Sequence, residues 1–397
     1  MLPILMTLIG LLALAAVLIV LREFKRKNVQ IWIGAYLRQT KPKVPQGPVH
    51  VMFCFVDHFE PKWGRPSAEV ETRRVQTWVE KYRALASRHK DADGVHPQHC
   101  FFYPEEEYEV HHLDALAQLC RDGFGEIEVH LHHDNDTADG LREKINRFGQ
   151  ILHERHGALP INSQTGRREF AFIHGNWALD NSRPDGRWCG VNDEIKVLAE
   201  LGCYADFTLP SAPSDTQVAK INSIYYATDD CCKPRSHETG VDVEVGRPAS
   251  GDLMIVQGPL AFNRHSRKWG LIPRIENSDI RRDHLPSPDR TDLWVEQHIH
   301  VKGRPEWLFI KVHTHGAQES DMDALLGAPA EAMYADLEAR YNDGQRHVLH
   351  YVTAREMVNI IKAAEAGYTG NPHDFRDFVL KPPAASRAGS VPNWQKP

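Results

Sequence analysis

Val51-Met52-Phe53-Cys54-Phe55-Val56-Asp57-His58-Phe59-Glu60-Pro61 is the stretch on which the fold turns. Its unbroken apolar run up to Val56 is that of a strand covered on both faces. The run then releases Asp57, His58 and Glu60 before Pro61 stops it. Parallel α/β folds carry their chemistry at the carboxyl ends of strands. An acid, an imidazole and a second acid at such an end form the first piece of a candidate site.

Outward from this stretch, strands and helices alternate. A helical pattern over 68–89, with Val75, Trp78, Tyr82 and Leu85 on one side, leads to a short strand at 99–103. Helix 110–121 precedes strand 126–132, and a helix near 140–156 precedes strand 169–173. Helix 192–201 ends at Gly202 and strand 204–209 is cut by Pro210. After the turn-rich residues 211–305, where 224–227 and 253–257 read as strands, come strand 307–312, helix 329–341, strand 347–352 and helix 354–365. Residues 211–305 are taken as an elaborated loop region on the core, and the Pro-rich tail 381–397 as disordered. Repeating βα units imply a parallel sheet, and roughly seven to nine strands favour barrel-like closure.

The N-terminus carries a different signal. Residues 1–21 contain no charge, and as a helix they would run roughly 31 Å, enough to cross a hydrocarbon core of about 30 Å. Arg22, Lys25, Arg26 and Lys27 follow and no basic residue precedes, the pattern of an uncleaved anchor. The expectation is a single-pass inner-membrane protein, held in the lipid bilayer through residues 1–21, with its C-terminal domain cytoplasmic. The aromatic stretch 28–38 is expected at the membrane interface, and residues 22–47, ending in a Pro-rich linker, lead to a folded domain over 48–380.

Composition narrows the function. At 397 residues, 42% hydrophobic and 25% charged, the chain is globular, and a net charge of −6 gives no basic footprint for nucleic acid. The seven cysteines include no C-x2-C pair, so reduced thiols are simpler than disulfides or a zinc ribbon. A phosphate-binding G-x-x-x-x-G-K-[ST] loop and a G-x-S-x-G elbow are both absent.

Four strand ends carry polar groups: Asp57-His58-Phe59-Glu60; His130-Leu131-His132-His133-Asp134; His174-Gly175-Asn176-Trp177; and His313-Thr314-His315-Gly316. Alternate strand residues face the same way, so the pairs His130/His132 and His313/His315 can each share an ion. A divalent metal site is the expectation.

The layout resembles the polysaccharide deacetylase (NodB-homology) superfamily over residues 49–365. The likeness lies in the acidic motif after the first strand, Phe101-Phe102 in the second, Gly123-x-x-Glu126-Ile127-x-x-His130 in the third, Leu201-Gly202-Cys203-Tyr204-Ala205-Asp206-Phe207, and a late strand ending in His313. The resemblance implies a distorted (β/α)7 barrel, here with one N-terminal transmembrane helix. The family's T-F-D-D-G motif reads Asp57-His58 here, and its H-[S/T]-x-x-H motif reads His130 and Asp134. The reciprocal exchange leaves His58, His130 and Asp134 as the implied ligands, with His132 as substitute or additional ligand, for Zn²⁺ or for Fe, Co or Ni. By the same resemblance Asp57 is the base, His313 the general acid, and His174 holds Asp57 or steadies the oxyanion. The implied activity is metal-assisted removal of an N-acyl group from a sugar, lipid- or nucleotide-linked if the domain is cytoplasmic. Two alternatives stand beside it: a glycosidase pairing Asp57 or Glu60 with Asp180 or Asp206, and a degenerate barrel that binds glycans or scaffolds a polysaccharide pathway.

Overall fold

The computed structural model describes residues 2–40, 42–43 and 47–384. Its strands in chain order are β1 (Val49–His58), β2 (His99–Pro104), β3 (Gly125–Leu131), β4 (Ile161–Asn162), β5 (Phe170–His174), β6 (Cys203–Asp206) and β7 (Ile224–Ala227). They continue with β8 (Val241–Asp242), β9 (Leu253–Val256), β10 (Ala261–Lys268), β11 (Ile272–Glu276), β12 (Trp307–Thr314), β13 (His347–Tyr351) and β14 (Leu380–Lys381).

The apolar run of β1 places it at the centre of the sheet. It pairs in parallel with β12 along residues 50–57 on one side. On the other it pairs with β13 over 49–53 and with β2 over 55–58. Successive side chains alternate between faces. Val51, Phe53, Phe55 and Phe59 pack with Val75, Trp78 and Tyr82 of the helix Ala68–Ala86. Met52, Cys54 and Val56 pack on the other face with Phe102, Ile173, Phe207 and Phe309.

Ten strands form one sheet in the order β12-β1-β2-β3-β5-β6-β9-β7-β8, with β13 added to β1. The expected closed barrel does not form. Residues 211–305 are the physical reason. They contribute β7, β8 and β9, and β7 runs antiparallel to both neighbours, turning that end of the sheet into a meander. They also occupy the free edge of β12, where the His313 N–H donates to the Ser278 carbonyl at 3.0 Å and the Ile280 N–H to the His313 carbonyl at 2.8 Å. An edge already hydrogen-bonded to a loop has no groups left for a closing strand. The stretch read as elaborated loop thus holds five strands and the helix Pro288–Glu296.

The expected membrane anchor at 1–21 is also overturned. The stretch does fold as a helix, Leu2–Arg26, but it runs unbroken into Arg22, Glu23, Lys25 and Arg26. Glu23 is tied to Arg26 at 2.7 Å and to Lys268 of β10 at 3.1 Å. Among the described residues no helix is long and apolar enough to cross a membrane. The single-pass inner-membrane placement and the orientation drawn from it fall with the anchor. The following helix, Val29–Arg38, turns its apolar side to protein: Trp32 is fully buried with its ring 4.9 Å from Phe262, and Val29 packs beside Ala212, Ile221 and Leu260.

At the C-terminus, Leu380 and Lys381 pair with β4. The remainder of the tail read as disordered, residues 385–397, lies outside the described residues, as do Lys41 and residues 44–46 of the linker.

Candidate metal centre

The carboxyl ends of β1, β3 and β12 deliver imidazoles to one face of the sheet. His58 continues the side of Cys54 and Val56, while His130 and His132 continue that of Glu126 and Glu128. The His58 ring lies 4.9 Å from His130 and stacks on His315 at 4.6 Å, and His130 lies 4.6 Å from His132. The turn begun at Pro61 brings Glu60 back over these rings. Its Oε1 is 3.4 Å from Nε2 of His130 and 3.2 Å from Nε2 of His132. Glu60 is shared by two donor groups, Glu60-His130-His132 and His58-Glu60-His315, in each of which the ligand atoms lie within 4.8 Å of one another.

One proton position follows from a partner. His130 Nδ1 is 2.7 Å from the Ile173 carbonyl, which can only accept, so Nδ1 carries the hydrogen and Nε2 keeps its lone pair for the cluster. Burial pushes the Glu60 carboxyl up, but the surrounding imidazoles of His130, His132 and His315 outweigh it and hold the group well below the usual range. Burial, followed by the neighbouring His315 and His130, holds His58 well below the ordinary imidazole value, in the neutral form a ligand needs. Burial lowers His132 as well, yet the carboxylates of Glu106 and Glu60 raise it to about 10.

A cavity of about 480 Å³ opens above the cluster, lined by His58, Glu60, His132 and His315 below and by Trp63, Trp177, Glu107 and Arg281 around it. That volume suits a small-molecule ligand. Trp63 is about half exposed at the rim. Trp177 and its neighbour Asn176 are both left-handed, with φ of 55° each, and for a bulky residue that is a strained conformation of the kind held at functional sites. The Trp177 Nε1 atom is buried with no hydrogen-bond partner among the described residues.

The residues singled out in the sequence divide here. His58, His130 and His132 meet. Asp134 does not join them: it is exposed and accepts the Trp188 N–H at 2.6 Å. Asp57 is fully buried on the opposite face of β1, where its carboxylate accepts from His99 Nε2 at 2.8 Å and from the Gly316 N–H at 2.6 Å. The His313 ring is 6.4 Å from His58, and its Nδ1 is buried without a partner among the described residues. His174 ends β5 on the face opposite Ile173 and joins a separate buried group with His133, Cys189 and Glu194. Asp180 and Asp206 are buried outside the cavity lining, and burial pushes their carboxyls up to about 8 and about 7.

Two members of the cluster stand outside the ligand set that the resemblance implied: Glu60 in the opening stretch, and His315, read from the sequence only as half of an ion-sharing H-x-H pair with His313. A further acidic group, Asp91-Asp93-His350, already has a cation, since Arg376 Nη2 lies 3.1 Å from Asp91. These buried His, Cys and Glu groups could hold a metal ion. No known family model matches the chain, and no curated protein matches it in sequence.

Proposed function

We propose that this cavity is the active site of a divalent-metal-dependent hydrolase that removes the N-acyl group from a sugar, as the resemblance to the polysaccharide deacetylases implies. The observation that carries the reading is Glu60, held within 3.4 Å and 3.2 Å of the Nε2 atoms of His130 and His132 at the base of an open cavity. The donor set fits an ion: imidazole nitrogens, one with its lone pair fixed, and an ionised carboxylate, open on the cavity side. Such a set suits Zn²⁺ and also Fe²⁺, Co²⁺ or Ni²⁺. When bound, the ion supplies Lewis acidity toward an acyl carbonyl and toward water.

The chain's own residues do the rest. Trp63 and Trp177 offer faces to a sugar ring. Glu107 lines the same cavity, and burial raises its carboxyl to about 7, which suits it to take a proton from water near neutrality. His132 lines the same cavity, with its Nδ1 held by Glu106 and its Nε2 turned to Glu60. The water oxygen bonds to the acyl carbon, the C–N bond breaks, and the amine leaves with the proton.

A second reading draws on Glu60 and Glu107, one ionised and one raised to about 7, the polarity of a glycosidase pair. One experiment separates the two. The full chain is loaded with zinc, its metal counted, and acetate and new reducing ends are measured on N-acetylated oligosaccharides. Acetate release that is lost with His130→Ala supports the deacetylase, and reducing ends without acetate support the glycosidase. A wild type that retains no metal in the cavity sinks the first reading.

A further inference from the structure

We infer that the chain carries a second, structural metal site, closed to solvent and built from His133, His174, Cys189 and Glu194. It stands independently of the cavity reading, because it lies on the other face of the sheet. Glu194 and Cys189 have no exposed surface, His174 has none, and His133 is 6% exposed.

The four donors come from four separate places. His133 follows β3, His174 ends β5, Cys189 sits in the loop between, and Glu194 opens the helix Glu194–Glu200. One ligand atom from each lies within 4.8 Å of the other three. The Nε2 atoms of His133 and His174 are 2.8 Å apart, and Glu194 Oε1 is 3.1 Å and 3.5 Å from them. Cys189 Sγ is 3.4 Å from Glu194 Oε2. Tetrahedral zinc, with bonds of about 2.0–2.3 Å, sets its donors roughly 3.3–3.8 Å apart. Two of the four observed spacings, 3.4 Å and 3.5 Å, fall in that range, and the other two, 2.8 Å and 3.1 Å, are shorter.

Supporting contacts orient each donor as a ligand. His133 Nδ1 donates to the Asp136 carboxylate at 3.0 Å, and Lys144 holds that carboxylate at 2.6 Å. His174 Nδ1 donates to the Gly175 carbonyl at 2.6 Å. With both Nδ1 atoms occupied, both Nε2 atoms face a common point. This is the carboxylate- and carbonyl-backed arrangement of zinc-binding imidazoles. The Cys189 sulfur accepts backbone N–H groups from Asn181 at 3.3 Å and Val191 at 3.4 Å, and its S–H points to Glu194 Oε2, a proton that an ion seated between the two would replace. Two imidazoles, a thiolate and a carboxylate with no open side make a structural zinc set rather than a catalytic one.

The loop spanned by these ligands also needs fastening. Between His174 and Cys189, Asn176, Trp177, Asp180, Asn181 and Trp188 all have positive φ. Two of them are tryptophans, which this region disfavours. An ion gripping both ends of the loop holds that conformation and, through it, the Trp177 face in the cavity.

The test is X-ray absorption at the zinc edge of the zinc-loaded full chain, which requires no variant. The expected result is a sulfur shell at about 2.3 Å. A spectrum fitted by nitrogen and oxygen alone overturns the site, whatever the cavity holds. Cobalt exchange identifies the donor. A thiolate-to-cobalt charge-transfer band is expected in the wild type and in His130→Ala, and absent in Cys189→Ser. A band that survives Cys189→Ser, or that disappears instead when Cys231 and Cys232 are changed to Ser, overturns it as well.

Discussion

Asp57 and His58 are bonded neighbours whose side chains serve opposite faces of β1. His58 stacks on His315 in the face that carries the candidate metal centre, whereas Asp57 is clamped between His99 Nε2 and the Gly316 N–H among the helix-facing residues. A motif read as one acid-and-ligand unit is two units, one chemical and one structural.

Asp57→Ala is therefore expected to act on stability. It leaves the His99 ring and the Gly316 N–H buried without their partner, at a cost of about 3–5 kcal/mol. Urea unfolding measures this. The zinc held per folded chain stays the same, and a variant that loses metal in proportion to stability would contradict the division.

Arg355 offers a second stability test. It is 2% exposed and bridges Glu126, Asp377 at 2.7 Å, and the carbonyls of Arg376 and Leu380 at 3.0 Å each. Arg355→Met takes the guanidinium away from the buried Glu126 carboxylate, which keeps the Thr353 hydroxyl at 3.0 Å, and is expected to cost about 3–5 kcal/mol. Limited proteolysis should then cut near residues 376–381 under conditions where the wild type is resistant.

Stability should also depend on pH through His112. Burial, and then the adjacent His111, lower this imidazole from its ordinary 6.5 to about 4. The folded chain therefore binds fewer protons there than the unfolded chain between these values, so the contribution is complete above 6.5 and is lost as pH falls toward 4. After allowance for solvent screening the loss is about 2 kcal/mol. His112→Leu should reduce the fall in unfolding free energy between pH 7 and pH 4.5, and an unchanged slope would refute the assignment.

Substrate handling is tested at the rim. Trp63 is about half exposed beside the cavity, and an aromatic face is worth about 0.5–1.5 kcal/mol. Trp63→Ala is expected to raise KM for an N-acetylated oligosaccharide roughly two- to tenfold with little change in kcat. A loss confined to kcat would place Trp63 in the chemical step instead.

What could be read from the sequence follows physical range. The helix Ala354–Glu365 was legible to the residue, because Thr353 and Glu356 close a capping box at its start. The face shared by His130 and His132 was legible from strand alternation alone. The alternation of Asp57 and His58 was equally available, but family analogy placed both in one pocket and overrode it. The open sheet was not legible, because direction and register in β7, β8 and β9 are set by partners distant in the chain. Cys189 and Glu194 were invisible as ligands for the same reason: loop residues joined to His133 and His174 by tertiary packing leave no spacing signature.

Two glycines lie under the cavity, and a methyl group has no room at either. At Gly175 it would come within 2.3 Å of the His132 ring and 2.8 Å of the Leu131 carbonyl, and at Gly316 within 2.2 Å of the Asp57 carboxylate. The floor is thus barred to variation, by natural drift or in a laboratory library. Diversity in what the cavity accepts has to enter from its rim, through exposed positions such as Trp63, Arg65 and Arg281.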